Sequence, residues 1–127
     1  MFVPTKECFC NMSPTDFEKY SLYLLKQQTQ GLENVKIEHN VIVEKSDGSY
    51  QIDGIVSFDV MGVRYTTIVE CKRYKNTISR EKVQILYDKI RANGAQKGIL
   101  ISTSGFQSGA IKYASEHGIA LIQITEA

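Results

Sequence analysis

The chain has 127 residues, of which 43% are hydrophobic and 23% charged, as expected for one soluble globular domain with its own core. Its net charge is only +1, so overall charge does not indicate a nucleic-acid-binding protein. No apolar run approaches the roughly 20 residues of a membrane-spanning helix, and the start lacks the pattern of a signal peptide. Three cysteines, an odd number, favour free thiols in a reducing cytosol. We expect a single cytoplasmic domain over residues 1–127, with its core at about 13–124.

The first half of the chain predicts one helix and three strands. A Ser-Pro helix start at residue 13 and a glycine at residue 31 predict a helix over about 14–30. Asp-Gly at 47–48 and Met-Gly at 61–62 are typical of tight turns between strands. The alternating segments around these turns predict a meander of strands over about 35–44, 50–60 and 63–72. In the second of these strands we expect Ile52, Gly54 and Val56 to share a face.

The second half of the chain predicts two helices and two buried strands. Ser79 is a typical helix cap, and the apolar stripe that follows continues to Arg91. A short apolar strand at 98–102, a small helix at about 107–117 and a last strand at 119–124 complete the chain. A helix between two buried strands implies a parallel crossover. The sequence therefore predicts an α/β fold of order α-β-β-β-α-β-α-β, with a mixed five-stranded sheet flanked by helices.

Two carboxylates and a lysine are the most informative residues. Glu70 and Lys72 project from the same face of one strand. If the hairpin pairs about residues 61–62, Asp53 lies directly opposite Glu70, with β-carbons about 5 Å apart. Such close carboxylates repel each other unless a cation lies between them. Their oxygens favour Mg²⁺, with Mn²⁺ as a substitute and the backbone carbonyl of Cys71 as a further ligand. Ordinary ion pairing is the alternative explanation of this pattern.

These residues belong to a wider resemblance. The chain resembles the Mrr-like restriction endonuclease family, within the PD-(D/E)XK nuclease superfamily, through Phe17-Glu18, Ile52-Asp53-Gly54, Val69-Glu70-Cys71-Lys72, Val83-Gln84 and the run from Gly94 to Phe106. The resemblance implies a magnesium-dependent DNA endonuclease with the element order given above. It implies that Asp53 and Glu70 are metal ligands and that Lys72 is the catalytic lysine. It also implies supporting catalytic roles for Glu18 and for Gln84, the latter near a water or phosphate.

A cationic segment follows this site. Between Cys71 and Gly98 the chain has 8 basic and 2 acidic residues, which favours a bound polyanion, although a solvated helix face is the alternative. Four of these residues are expected to contact DNA phosphates: Arg73, Lys75, Arg80 and Lys82. His39 and His117 are interpreted as structural residues rather than catalysts, although His39 lies on the strand before Asp53.

Other functions remain open at this point. A Holliday-junction-resolvase-like, structure-selective nuclease and a non-catalytic nucleic-acid or protein-binding module would share this fold. RNA as the substrate is not distinguished from DNA, because no motif that reads a 2′-hydroxyl is visible. The resemblance implies that many family members attach a DNA-recognition domain, and we expect none within these 127 residues. One active site cuts one strand, so double-strand cleavage would need a homodimer or a partner, and sequence specificity would need a separate subunit or DNA shape.

Overall fold

The structure is a computed structural model that describes residues 2–5 and 12–126, with only the backbone described at 2–5 and 126. The predicted order α-β-β-β-α-β-α-β is confirmed, and one additional strand precedes it. The elements are β1 (Phe2–Thr5), α1 (Pro14–Gln27), β2 (Glu33–Lys45), β3 (Gly48–Val60), β4 (Val63–Lys72), α2 (Arg80–Ala92), β5 (Lys97–Ser102), α3 (Ser108–Glu116) and β6 (Ile119–Glu126).

The strands form one mixed sheet of six strands in the order β1-β6-β5-β4-β3-β2. β2, β3 and β4 pair in antiparallel fashion, whereas β4, β5, β6 and β1 run parallel. The five predicted strands are all present, and β1 extends the sheet at one edge. This short strand was not predicted because its four residues include Pro4 and show no clear alternation.

Helices cover both faces of the sheet and create two apolar layers. One layer lies under α1, and the other lies under α2 and α3. The α1 layer contains Phe17, Leu22, Val56, Val69, Cys71, Ile101, Ile122 and Ile124. The second layer contains Ile52, Ile68, Ile78, Val83, Leu86, Leu100, Ala110, Ala114 and Ile119. Cys71 is a free, buried thiol as predicted, whereas Cys8 and Cys10 lie outside the described residues.

The turn at Met61-Gly62 fixes how β3 faces β4. Val60 pairs with Val63 and Gly54 pairs with Val69, which is the register that the sequence predicts. Met61 and Gly62 both adopt positive φ values, of 54° and 72°, as the tight hairpin turn requires. The paired register ends at Gly54 and Val69, so Asp53 and Glu70 each come directly after the last pair.

The expected alternation of side chains along β3 is wrong at one point. Gly54 faces α1, where Leu22 approaches it, but Ile52 packs into the opposite layer under α2 and α3. The facing strand is irregular here, because Asn40 has a positive φ of 53° between the partners of these two residues. Irregular strand geometry re-aims side chains, and it does so here on both sides of Asp53.

The β2–β3 hairpin extends past the end of β4, so its outer part pairs only with itself. Its tip contacts the end of α2, where Nη2 of Arg91 lies 3.3 Å from Oδ2 of Asp47. A cleft therefore forms between the hairpin and α2, next to the end of β4. None of the helices in the described part of the chain has the length and apolar character needed to span a bilayer.

Candidate active site

Asp53 is buried at the point where β3 passes the end of β4. Its Oδ2 accepts a 2.8 Å hydrogen bond from the backbone N–H of Cys71, and its Oδ1 accepts a 3.2 Å bond from Nε2 of Gln51. The first bond ties the carboxylate to the strand that carries Glu70 and Lys72. The predicted meeting of these strands is therefore present, and it involves the amide of Cys71.

Glu70 is an almost fully buried carboxylate, with 3% of its side chain exposed. Burial raises its pKa above the usual range, and the negative charge of Asp53 raises it further. Two lysines oppose this shift: Nζ of Lys89 lies 2.7 Å from Oε1 and Nζ of Lys72 lies 3.7 Å from Oε2. The two acids thus repel each other, and the two lysine ammonium groups compensate part of their negative charge.

Lys72 lies beside Glu70 as the strand geometry predicts. Its ammonium also lies 5.7 Å from the ring centroid of Tyr74, and Nζ of Lys82 lies 5.9 Å from the same centroid. Tyr74 is held through its backbone carbonyl, which accepts a 3.1 Å hydrogen bond from Oγ1 of Thr103. Lys72 and Lys82 therefore share one exposed aromatic ring at the mouth of the site.

Lys89 is the site residue that the sequence reading missed. It comes from α2 and keeps only 14% of its side chain exposed. The available signal was its position, because Lys89 follows Leu86 by three residues and thus continues the buried stripe of the helix. A lysine on the buried side of an amphipathic helix needs an anionic partner, and Glu70 supplies it.

Glu18 approaches the site from α1, which packs closely over Gly54. A side chain at Gly54 would place its Cβ 2.5 Å from Cδ2 of Leu22, so a larger residue would force the buried Leu22 side chain, or α1 with it, to shift. Glu18 lies one turn before Leu22 on the same helix face, and Gly54 is the cross-strand partner of His39. Glu18 and His39 consequently meet, with Oε1 of Glu18 2.9 Å from Nε2 of His39.

The charge state of Glu18 depends on the same group of residues. Partial burial raises the pKa of Glu18, and the charge of Asp53 raises it further, whereas His39 and Lys72 lower it. His39, interpreted from sequence as structural, is thus an immediate neighbour of the site. The sequence could not reveal this contact, since it depends on how α1 crosses β2.

Gln84 is exposed on α2 and lines a cleft of about 300 Å³. The same cleft is lined by Lys89 from α2 and by Tyr50 from the projecting hairpin. Through Lys89 this cleft adjoins Glu70, although no direct contact joins Gln84 to Asp53, Glu70 or Lys72 among the hydrogen bonds of the described residues.

The four basic residues expected to contact DNA are not grouped together. Arg73 and Lys75 are exposed in the loop after β4, and Lys82 stands over Tyr74. Arg80 instead lines a separate cleft of about 200 Å³ next to α3, with Lys112 and Tyr113. Arg73 and Lys75 therefore follow Lys72 along the loop, Lys82 shares the ring of Tyr74 with Lys72, and Arg80 lines a different cleft.

The donor atoms at this site suit a hard divalent cation. Asp53 and Glu70 present carboxylate oxygens, the donor type that hard divalent cations prefer, and burial together with the charge of Asp53 raises the pKa of Glu70. Within residues 2–5 and 12–126, no group of three or more His, Cys, Asp or Glu side chains is arranged to hold a metal. Two carboxylates still suffice for Mg²⁺, which keeps several waters as ligands.

Comparison with known proteins identifies the family. The sequence profile of the Mrr catalytic domain, described as restriction endonuclease, matches residues 9–126. The chain belongs to the Mrr-like restriction endonuclease family. The type IV methyl-directed restriction enzyme EcoKMrr of Escherichia coli K12 is 32% identical over 117 residues. That match covers 91% of this chain and 37% of EcoKMrr, so the chain spans little more than a third of that relative.

Solved structures agree on the fold of this Mrr-like domain. The protein of unknown function AF1548 superposes with a TM-score of 0.67 at 20% identity, over 82% of this chain and 54% of that one. The MspJI restriction endonuclease, solved with a 27-mer oligonucleotide, gives a TM-score of 0.62 at 14% identity, over 89% of this chain and 26% of MspJI. The restriction-endonuclease-like fold expected from the sequence is therefore confirmed.

Proposed function

We propose that this domain is a Mg²⁺-dependent DNA endonuclease of Mrr type, with Mn²⁺ as an effective substitute. The single observation that carries the proposal is the convergence of Asp53, Glu70 and Lys72 at the end of β4 in a chain of this family. A module that only binds nucleic acid has no use for two buried acids that repel each other. A hydrolase that binds a cation between these acids does have a use for them.

In this proposal Asp53 and Glu70 would hold the divalent ion, with the carbonyl of Cys71 as a further ligand. A bound ion would supply the Lewis acidity that polarises a phosphate and lowers the pKa of a water molecule. Lys72 places its ammonium beside Glu70 and offsets the negative charge that develops on the phosphate. The hydrogen bond from the Cys71 N–H fixes one oxygen of Asp53, so the acid does not have to be ordered when substrate arrives.

Two further residues support this chemistry in the proposal. Glu18 adds a third carboxylate whose charge depends on Asp53 and Lys72 and is steadied by His39. Gln84 offers an amide in the cleft that contains Lys89, suited to a water or a phosphate oxygen. DNA phosphates would run across the face that carries Arg73, Lys75 and Lys82, with Arg80 reached only by a longer duplex.

The test is a cleavage panel on purified protein with Mg²⁺, Mn²⁺ or EDTA. Supercoiled plasmid, methylated plasmid, linear duplex, single-stranded DNA, a four-way junction and RNA are compared at equal concentration. We expect metal-dependent nicking of plasmid that is lost in Asp53→Ala and Lys72→Ala. Binding of DNA without nicking by either ion would refute the nuclease and favour a binding module, and preference for the junction would indicate a resolvase-like enzyme. Cleavage of RNA with no cleavage of any DNA would also contradict the proposal.

A further inference from the structure

Glu70 and Lys89 form the most enclosed charge pair among the described residues. Their heads are 2.7 Å apart, and 3% and 14% of their side chains are exposed. The other ion pairs in the described ranges are either longer or more exposed. A buried carboxylate requires a compensating cation, and breaking such a pair leaves an uncompensated charge. Lys89, rather than Lys72, is the closer cation to this acid.

The position of Lys89 is not explained by packing alone. Its helix buries Val83 and Leu86 against the sheet, and Lys89 follows them inward instead of extending into solvent. Its ammonium then donates to the carboxylate that the proposed function assigns to a divalent ion. Lys89 also lines the open cleft beside Tyr50 and Gln84, so it has space into which it can withdraw.

We propose that Lys89 is a built-in counter-ion of Glu70, which a divalent metal ion must displace in order to bind. This inference rests on the proposed function, because it takes Glu70 as a metal ligand. An ammonium and a divalent ion on the same carboxylate repel each other, so occupancy by one opposes occupancy by the other. Lys89 therefore stabilises the metal-free domain and lowers its affinity for metal.

The test measures metal binding directly and without DNA. Binding of Mn²⁺ is followed from the electron paramagnetic resonance signal of the free ion, for wild type, Lys89→Met and Lys97→Met. Methionine keeps the unbranched shape of lysine, one atom shorter, without its charge. Lys97 is a matched control, since it is exposed at the opposite end of β5, paired with Thr67 and not with the end of β4.

We expect Lys89→Met to bind Mn²⁺ about tenfold more tightly than wild type, because one charge-assisted hydrogen bond no longer has to be broken. Lys97→Met should bind like wild type. Unchanged or weaker binding by Lys89→Met would overturn the inference. Lys89→Arg, which keeps the charge, should not gain affinity, and a gain there equal to that of Lys89→Met would overturn it as well.

Thermal unfolding with and without Mn²⁺ keeps the test decisive if the variant is less stable than wild type when metal is absent. Lys89→Met should melt lower than wild type in EDTA and gain more than wild type from saturating Mn²⁺. Recovery of folding on addition of Mn²⁺ would support the inference even if the metal-free variant is unfolded. A variant that stays unfolded at saturating Mn²⁺ would overturn it, because the ion would then not replace the ammonium.

The design separates this inference from the proposed function. Wild type that neither binds Mn²⁺ nor nicks plasmid would refute the proposed function itself. Wild type that binds and nicks, together with a Lys89→Met protein that binds no more tightly, would refute only the role of Lys89. Glu70→Gln should lose Mn²⁺ binding in both backgrounds, which identifies the carboxylate involved.

Discussion

Oδ2 of Asp53 accepts a 2.8 Å hydrogen bond from the backbone N–H of Cys71, and this bond joins the two strands that carry the candidate active site. It links an acid on β3 to the residue between Glu70 and Lys72 on β4. Because the donor is a backbone group, it lies in place whatever side chain occupies position 71. The acid is therefore oriented by the sheet itself, before any cation or substrate arrives.

Asp53→Asn should abolish cleavage while preserving the fold. The amide keeps the shape of the side chain and an oxygen for the Cys71 N–H, but it removes the negative charge that a divalent ion requires. Loss of a residue that only orients a metal ligand costs roughly 10–100-fold at metal sites, so loss of a ligand itself should lower the nicking rate at least about a hundredfold. The measurement is the initial rate of plasmid nicking with saturating Mg²⁺.

Asp59→Asn is the matched control for this experiment. Asp59 lies on the same strand but pairs with Arg64 at 3.1 Å, near the Met61-Gly62 turn and away from the site. Its replacement should leave nicking within about twofold of wild type, since no site residue contacts it. Equal losses in both variants would mean that β3 is being destabilised generally and that Asp53 has no special role.

Gly54→Ala should destabilise the protein by packing alone. The added methyl would lie 2.5 Å from Cδ2 of Leu22, and forcing a carbon into a packed site costs about 1–3 kcal/mol in the free energy of unfolding. Gly105→Ala is the control, because the nearest atom to its added methyl is 3.9 Å away. Urea unfolding measures both variants.

A double substitution tests whether Leu22 is the cause. In a Leu22→Ala background the clash is absent, so Gly54→Ala should cost less there than in wild type. The same movement of α1 would displace Glu18, and nicking should therefore fall in the single variant. If Gly54→Ala lowers the free energy of unfolding equally in the Leu22→Ala background, the strand backbone, and not the helix, requires glycine at position 54.

Glu18→Gln should change how stability depends on pH. Burial and Asp53 raise the pKa of Glu18 above its usual 4.5, so the folded protein holds this proton more strongly than the unfolded chain does. The contribution of this group to stability is therefore fully present below pH 4.5 and lost as pH rises through the raised pKa. Glutamine cannot titrate, so the melting temperature of the variant, relative to wild type, should increase with pH across this window.

Thermal melts in EDTA between about pH 4 and pH 7 measure this difference, and a change of a few degrees at most is expected for one partly exposed group. Glu116→Gln, an exposed position on α3, is the control and should show a flat difference. A relative melting temperature of Glu18→Gln that falls as pH rises would contradict the raised pKa.

Local patterns predicted the part of the site that depends on one hairpin. The two-residue turn at Met61-Gly62 fixes the register as far as Gly54 and Val69, and this register brings Asp53 next to the strand of Glu70 and Lys72. Strand periodicity likewise predicts that Glu70 and Lys72 lie side by side. These relationships span few residues and rest on backbone geometry, so the sequence contains them.

Such local patterns could not predict contacts between distant elements. Lys89 meets Glu70 because α2 crosses β4, and His39 meets Glu18 because α1 crosses β2. Neither crossing is encoded in the periodicity of one segment. The irregularity at Asn40 was missed for a related reason, since a positive φ at a non-glycine residue has no strong signature in sequence. The site therefore depends on backbone register within one hairpin and on side-chain packing between layers, and only the first was predictable from the sequence.

Three basic residues that follow the site should control the salt dependence of DNA binding. Arg73 and Lys75 are exposed in the loop after β4, and Lys82 lies on α2 over the ring of Tyr74. Each phosphate contact contributes roughly 0.9 to the slope of log K against log salt. Changing all three to alanine should weaken binding to any sequence and lower that slope by about 2–3. Lys97→Ala, at the far end of β5, should leave the slope unchanged. Fluorescence anisotropy with labelled duplex over a salt series measures this in EDTA, where no cleavage occurs. If the triple variant retains the wild-type slope, DNA does not run along this face.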